Sequence, residues 1–218
     1  MKRKRFGVVG LGNFGHHAAR ALYEEGHEVV AVDIDQDKIQ RIRDYCTFAV
    51  AADAADREFL HAQGFAEMDA VVVSTGERSH LATLITLYLK ELKVRNILVK
   101  AVSEDHGRIL EKIGADEIIF PEKDMARKIA RNLSTPNILE FVPLGEGYSI
   151  TEAAPPASFI GKTLAELDLR RRHQITVIGI RDVLTGHFAL LPPPDQVIKD
   201  SDLLVFIGRS EDIERVLK

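Results

Sequence analysis

Arg5-Phe6-Gly7-Val8-Val9-Gly10-Leu11-Gly12-Asn13-Phe14-Gly15 begins as an apolar, β-branched run and closes on three glycines in the spacing G-x-G-x-x-G. That order predicts a strand, a tight turn and a helix. Gly10 permits the bend, Gly12 lets a phosphate approach the backbone, and Gly15 lets the helix press against the sheet. The free amides of the first helical turn then face an anion. Asp33 follows 18 residues after Gly15, at the end of Val29-Val30-Ala31-Val32. A carboxylate at the tip of the second strand accepts hydrogen bonds from ribose hydroxyls. A glycine fingerprint by itself is weak. Together with the strand, the helix and the acidic residue, it predicts a pocket for the adenosine half of a nucleotide.

Working outward, short β-branched runs alternate with segments of helical period from Phe6 to Phe120. This is the pattern of an α/β fold, a Rossmann doubly wound parallel sheet. Strands are predicted at 6–10, 28–33, 48–51, 70–74, 97–102 and 117–120, and helices at 14–25, 36–44, 55–63, 80–92 and 105–113. Gly26, Gly64 and Gly114 stand where helices end. Pro121 sits where a further helix can begin, 124–133 has helical spacing, and Ser134-Thr135-Pro136 interrupts it. The apolar set Ile138, Leu139, Phe141 and Val142 reads as part of a linker. Beyond Gly145-Glu146-Gly147 a second module is expected, with strands at 148–154, 175–180, 187–191 and 203–207. Thr163-Leu164-Ala165-Glu166 has the spacing of a capping box. The expected division is a nucleotide-binding domain at 1–123, a crossover helix and linker at 124–144, and a small α+β domain at 145–218.

The 218 residues are 45% hydrophobic, enough for packed cores. A net charge of −4, with no basic stripe interleaved with aromatics, argues against nucleic acid. The single cysteine, Cys46, fits a reducing compartment and an ordinary buried side chain. No apolar run reaches the roughly 18 residues of a membrane span. The basic start Lys2-Arg3-Lys4-Arg5 leads straight into a strand. These features predict a soluble, cytosolic chain.

Asp33 is followed by Ile34 and Asp35, with no arginine for a ribose 2′-phosphate, so NAD, ADP and ATP are favoured over NADP. Asp53, with Ala54 beside it, either reaches adenine or its ribose or caps the helix expected from Ala55. Ser74-Thr75-Gly76-Glu77 lies at the carboxyl edge of the sheet, where ligands of this fold sit. Lys100, in an otherwise apolar strand, needs a phosphate or a carboxylate as partner. The histidines have neither metal-ligand spacing nor a nucleophile beside them. Without a catalytic constellation, binding without chemistry is expected. An NAD-dependent oxidoreductase and a free-standing soluble nucleotide sensor are the alternatives.

Val8-Val9-Gly10-Leu11-Gly12-Asn13-Phe14-Gly15, Ala31-Val32-Asp33-Ile34-Asp35, Leu87-Tyr88-Leu89-Lys90-Glu91-Leu92, Val99-Lys100-Ala101 and Leu110-Glu111-Lys112-Ile113-Gly114-Ala115-Asp116, running into Pro121-Glu122-Lys123-Asp124-Met125, go beyond a generic sheet. In these residues the chain resembles the KtrA/TrkA family of RCK (KTN) proteins, which gate potassium uptake channels. The likeness covers essentially the full length. It implies an RCK_N domain, a crossover helix around 124–133 and an RCK_C domain. It also implies a cytoplasmic homodimer that assembles into an octameric ring, peripheral to the inner face of the membrane under a channel subunit of the KtrB/TrkH type. The ligands implied are ADP or ATP and, in some members, NAD or NADH. Lys100 matches a residue beside the phosphates. Glu122 matches a carboxylate near the nucleotide and the dimer interface that can hold a cation, a divalent one; read from the residues alone, it is equally the favourable negative charge in the first turn of a helix. Asn13 departs from the arginine that KtrA-type members often carry. Either His16 takes over part of that contact, or the preference leans toward ADP or NAD. The tail matches a domain that binds cyclic di-AMP in some members, with Arg170, Ile175 and 190–194 as candidates.

Overall fold

The computed structural model describes residues 2–134 and 138–217, and the chain divides into two compact units, Met1–Asp124 and Met125–Lys218. In the first unit, β1 (Arg5–Val9), α1 (Asn13–Glu24), β2 (Glu28–Asp33), α2 (Gln36–Ile42), β3 (Phe48–Ala51), α3 (Arg57–Ala62), β4 (Ala70–Val73), α4 (Ser79–Glu91), β5 (Ile97–Lys100), α5 (Glu104–Ile113) and β6 (Glu117–Ile119) alternate along the chain. Every strand pair is parallel, in the order β3-β2-β1-β4-β5-β6. The order reverses at β1, whose Val9 stands level with Val32 on one side and Val73 on the other. That reversal leaves a crevice at the carboxyl ends of β1 and β4.

Near-continuous valines and isoleucines suit this sheet because helices cover both faces. Alternate residues of one strand feed separate cores. Val9, Val30, Val32, Val71 and Val73 pack with Leu60, Phe65 and Leu89 on one side. Val8, Val29, Ala31 and Val72 pack with Ala19, Ile39 and Ile42 on the other. Charged replacement on either face of β1 would therefore bury an unpaired charge.

The predicted strands and helices of this unit are all present, with ends shifted by a few residues. One of the shifts is at α3. It starts at Arg57, where the Asp56 carboxylate accepts from the amides of Glu58 and Phe59. Asp53 is therefore not the cap of that helix; it closes a turn by accepting from the Ala55 amide at 2.9 Å. The helix expected over 124–133 is α6 (Pro121–Ser134), with proline in its first turn, where the missing N–H costs nothing. Pro136 and Asn137 lie outside the described residues.

The second unit contains β7 (Ile138–Gly145), β8 (Tyr148–Ala153), α7 (Leu164–Leu167), α8 (Leu169–His173), β9 (Thr176–Asp182), β10 (Phe188–Leu190), β11 (Asp202–Arg209) and α9 (Ser210–Leu217). Its sheet is antiparallel, in the order β10-β9-β11-β8-β7. β11 alternates as a one-sided strand, burying Leu204 and Phe206 against Ile180, Ile198 and Ile213. The capping box at Thr163 and Glu166 is formed in both directions.

Here one expectation is corrected. Residues 138–144 are not linker but edge strand β7, paired to β8, and Gly145-Glu146-Gly147 is the hairpin tip rather than a boundary. All three tip residues have positive φ, between 50° and 90°. The strand is hard to read because its register shifts twice and it carries Pro143, which only an edge tolerates. α9 was not foreseen at all, although Ile213 and Leu217 are an i, i+4 pair sealing the core.

A candidate nucleotide site

The glycine turn sits at the sheet reversal. The Gly10 amide donates to the Val32 carbonyl at 2.8 Å, and the Ser74 amide donates to the Val9 carbonyl at 2.7 Å, so the turn is tied to both neighbouring strands. Gly10 has φ +88°, and a Cβ there would lie 2.2 Å from the Ser74 carbonyl oxygen. A Cβ on Gly15 would lie 1.9 Å from the Gly10 carbonyl oxygen, so α1 approaches β1 as closely as backbone allows. In front of Gly12 nothing lies within 4 Å. Two glycines are thus required by packing, and the third faces open space at the start of a 12-residue helix with no side-chain cap. Unsatisfied amides with room before them form an anion site.

Gly10, Gly12, Asp33, Ile34, Asp53, Ala54, Thr75 and Gly76, all expected from sequence, line one cavity at this crevice. Asn13, Phe14 and Gly15 belong to the first turn of α1 beside it. Lys100 and Glu122 do not line it. They line a neighbouring cavity with Ser103, Phe120 and Lys123, and Gly76 is common to both. Sequence reading missed five lining residues, Lys38, Ala52, Arg78, Leu81 and Ile85. The last two are i, i+4 on α4, and that spacing was available as a signal.

Asp33 is 6% exposed and is not a free acceptor. It accepts from the Leu11 amide at 2.6 Å, the Asp35 amide at 3.0 Å and the Lys38 ammonium at 3.2 Å. Burial pushes its pKa up. The Leu11, Asp35 and Lys38 donors more than offset this, and the pKa ends below the usual carboxylate value. Lys38 comes from the first turn of α2, where side chains lean back toward the preceding strand. His16 is held below its usual pKa, first by burial and then by His17, Arg20 and Arg41. An imidazole so placed is neutral at neutral pH and does not replace an arginine's charge.

The carboxylate that Lys100 needs is Glu122, with which it forms an ion pair and hydrogen bond. That contact, through Lys100 first, lowers the Glu122 pKa. Lys123 and Glu104 make a second such pair at the same cavity. Among the described residues no group of three His, Cys, Asp or Glu side chains converges to hold a metal. A lone carboxylate already paired with an ammonium does not fit a divalent cation within one chain. The Lys100 side chain is 16% exposed and that of Glu122 is 72% exposed, so water screens the pair from one side. Glu122→Gln should cost about 1 kcal/mol or less in chemical denaturation, and Lys100→Met, which leaves no unpaired ammonium, should cost less still.

In the second unit, Arg170 and Ile175 line a cavity with Asp168, Thr176, Pro192 and Pro194. Two of the candidates in 190–194 are thereby joined to the two upstream. Among the described residues no helix is long and apolar enough to cross a membrane.

The TrkA-N domain model matches residues 6–121 and the TrkA-C domain model matches 150–218. The chain is 40% identical to Ktr system potassium uptake protein A of Bacillus subtilis (strain 168) over 215 residues, 99% of this chain and 96% of that one. Among solved structures, the GsuK channel bound to NAD superposes with a TM-score of 0.56 at 20% identity, covering 99% of this chain and 38% of that one. GsuK bound to ADP gives a TM-score of 0.54 at 17% identity, covering 62% of this chain and 36% of that one. At those identities the structures speak to the fold, a parallel six-stranded unit followed by an antiparallel one. A TrkA-N match on the unit that carries the glycine turn, a TrkA-C match on the unit that carries β11, and 40% identity to a Ktr protein over nearly the full chain place the chain in the TrkA/Ktr family of potassium uptake proteins.

Proposed function

We propose that this chain is the cytoplasmic, nucleotide-sensing regulatory subunit of a potassium uptake system. The observation that carries the reading is the 40% identity to a Ktr system protein over nearly the full chain, combined with an open crevice before Gly12. ADP, ATP or NAD(H) binds with adenosine against Asp33, Ile34, Asp53 and Ala54 and phosphates over Gly10–Gly15, toward Thr75 and Gly76. Lys100, in the adjoining cavity, is then a cation for the terminal phosphate. No chemical conversion is assigned.

Ligand identity must be read out mechanically, and a ligand with equal affinity for two assembly shapes shifts nothing. In a homo-oligomeric ring of eight copies, modest discrimination suffices. A roughly threefold preference per site multiplies over eight sites to about 6,000-fold, or about 5 kcal/mol. The ring rests against a membrane channel subunit of the KtrB/TrkH type, which places the chain peripherally on the inner face. A divalent cation at Glu122 would need further donors from a second copy, so it belongs to the dimer and not to the single chain.

The test is potassium flux through the channel in liposomes, with the purified protein and ADP, ATP or NADH. At least one nucleotide should change the flux relative to another. Binding that leaves flux unchanged would overturn the regulatory role.

The cavity of the second unit suits cyclic di-AMP, an anion that Arg170 can meet while Ile175, Pro192 and Pro194 pack against its bases. Arg170→Ala should weaken cyclic di-AMP binding at least tenfold and leave ADP affinity unchanged, as read by equilibrium binding. Equal losses for both ligands would point to a folding effect instead.

A further inference from the structure

The Asp33 carboxylate has about four acceptor positions on its two oxygens. All are taken. Oδ2 accepts from the Leu11 amide at 2.6 Å and the Lys38 ammonium at 3.2 Å, and Oδ1 accepts from the Asp35 amide at 3.0 Å and the same ammonium at 3.5 Å. A ribose diol that docks on this carboxylate must displace a donor. The Leu11 amide is fixed in the glycine turn, one residue beyond Gly10, whose own amide is bonded to Val32. The Asp35 amide belongs to the residue that caps α2 by accepting from the Asp37 amide. Neither can leave without undoing its turn. Lys38 can, because it reaches Asp33 on a flexible stem and its side chain is 34% exposed.

Resting on the nucleotide reading of the same site, we propose that Lys38 decides what the pocket accepts at the ribose 2′ position. It leaves Asp33 when a ribose enters, and its ammonium, still lining the cavity, then serves a 2′-phosphate. The pocket therefore takes 2′-phosphorylated adenine nucleotides as well as those with a free 2′-hydroxyl. The lack of arginine directly after Asp33 argues against a 2′-phosphate only while the chain is read in one dimension. The first turn of α2 folds back and supplies the cation five residues later. Arg41 follows Lys38 by three residues on the same helix, and its charge is felt at His16 on α1. Asp33, Asp35 and Asp53 are close by, so Lys38 and Arg41 are the cations that would have to offset them for a 2′-phosphate.

Two matched pairs of probes test this by equilibrium titration of the full chain: AMP against adenosine 2′,5′-bisphosphate, and NADH against NADPH. In the native chain the 2′-phosphate should change Kd by less than tenfold in each pair. Lys38→Met should weaken the 2′-phosphorylated member at least tenfold more than its partner. Lys38→Arg should keep the native ratio. Methionine and arginine both suit a helix interior, so the fold of α2 is preserved. A native penalty above tenfold, or a Lys38→Met change equal for both members of a pair, would overturn the proposal while leaving the nucleotide site standing. No binding of any probe by the native chain would overturn both.

Discussion

Gly12→Ala is expected to fold like the native chain and to lose nucleotide affinity by two orders of magnitude or more, whereas Gly10→Ala and Gly15→Ala are expected to cripple the fold itself. The contrast follows from what a methyl group meets. At Gly12 it meets nothing within 4 Å, and the residue's φ of −65° is open to any amino acid, so stability should change by less than about 1 kcal/mol. The methyl nevertheless stands where a phosphate would approach the first amides of α1. At Gly15 the new Cβ falls 1.9 Å from the Gly10 carbonyl oxygen and 3.0 Å from its carbon, and neither atom is on a side chain that can swing away. α1 must lift off β1, opening the contact around Ala19. At Gly10 the clash with Ser74 is compounded by φ +88°. Each of the two should cost about 3 kcal/mol or more. Thermal melts separate the classes, and nucleotide titration of the folded Gly12 variant isolates the phosphate site from the fold.

Asp33→Ala carries the second large effect, on stability and binding together. Were this carboxylate only a ligand group, its removal would spare the fold. The structure adds the Leu11 and Asp35 amides and the Lys38 ammonium as dependants. Removing a buried acceptor of charge-assisted hydrogen bonds costs about 2–4 kcal/mol. Adenosine ligands should weaken about 10- to 100-fold through the loss of ribose hydrogen bonds to a charge. The pH dependence has a fixed sign. The folded pKa of Asp33 lies below its usual value, so its stabilisation is present above the ordinary aspartate range and disappears as pH falls through the lower folded value. Asp33→Asn should remove that component of acid destabilisation, as measured by denaturation at a series of pH values. An unchanged acid limb would show that other carboxylates carry it.

The sheet was legible because its signals are local. Val71-Val72-Val73 and Val29-Val30-Ala31-Val32 are too apolar for anything but a strand buried on both faces, and the glycine spacing fixes the turn between β1 and α1. The start of α3 was misplaced because Asp53 and Asp56 are both good caps, and it is the Asp56 carboxylate that accepts from the first amides of the helix. β7 was hidden because just Ile138 is fully buried and two register shifts erase its alternation. In the site, the eight cavity-lining residues expected from sequence lie at the end of β2 or on the loops that follow β1 to β4, where the fold dictates position. Lys38 was missed because the fold-back of the first turn of α2 onto the end of β2, five residues earlier, is not marked by any residue pattern. The Lys100 partner could be specified only as a charge, since Glu122 stands 22 residues away on another element.

The central claim is that an adenine nucleotide lodges over the first turn of α1 with its ribose on Asp33. Isothermal titration of the purified chain with ADP, in parallel for the native protein, Gly12→Ala and Asp33→Asn, tests it most directly. Saturable binding by the native chain, lost or weakened at least tenfold in both variants while their melts remain cooperative, is the predicted result. Native-like ADP affinity in a folded Gly12→Ala protein, or no binding by the native chain, would contradict it.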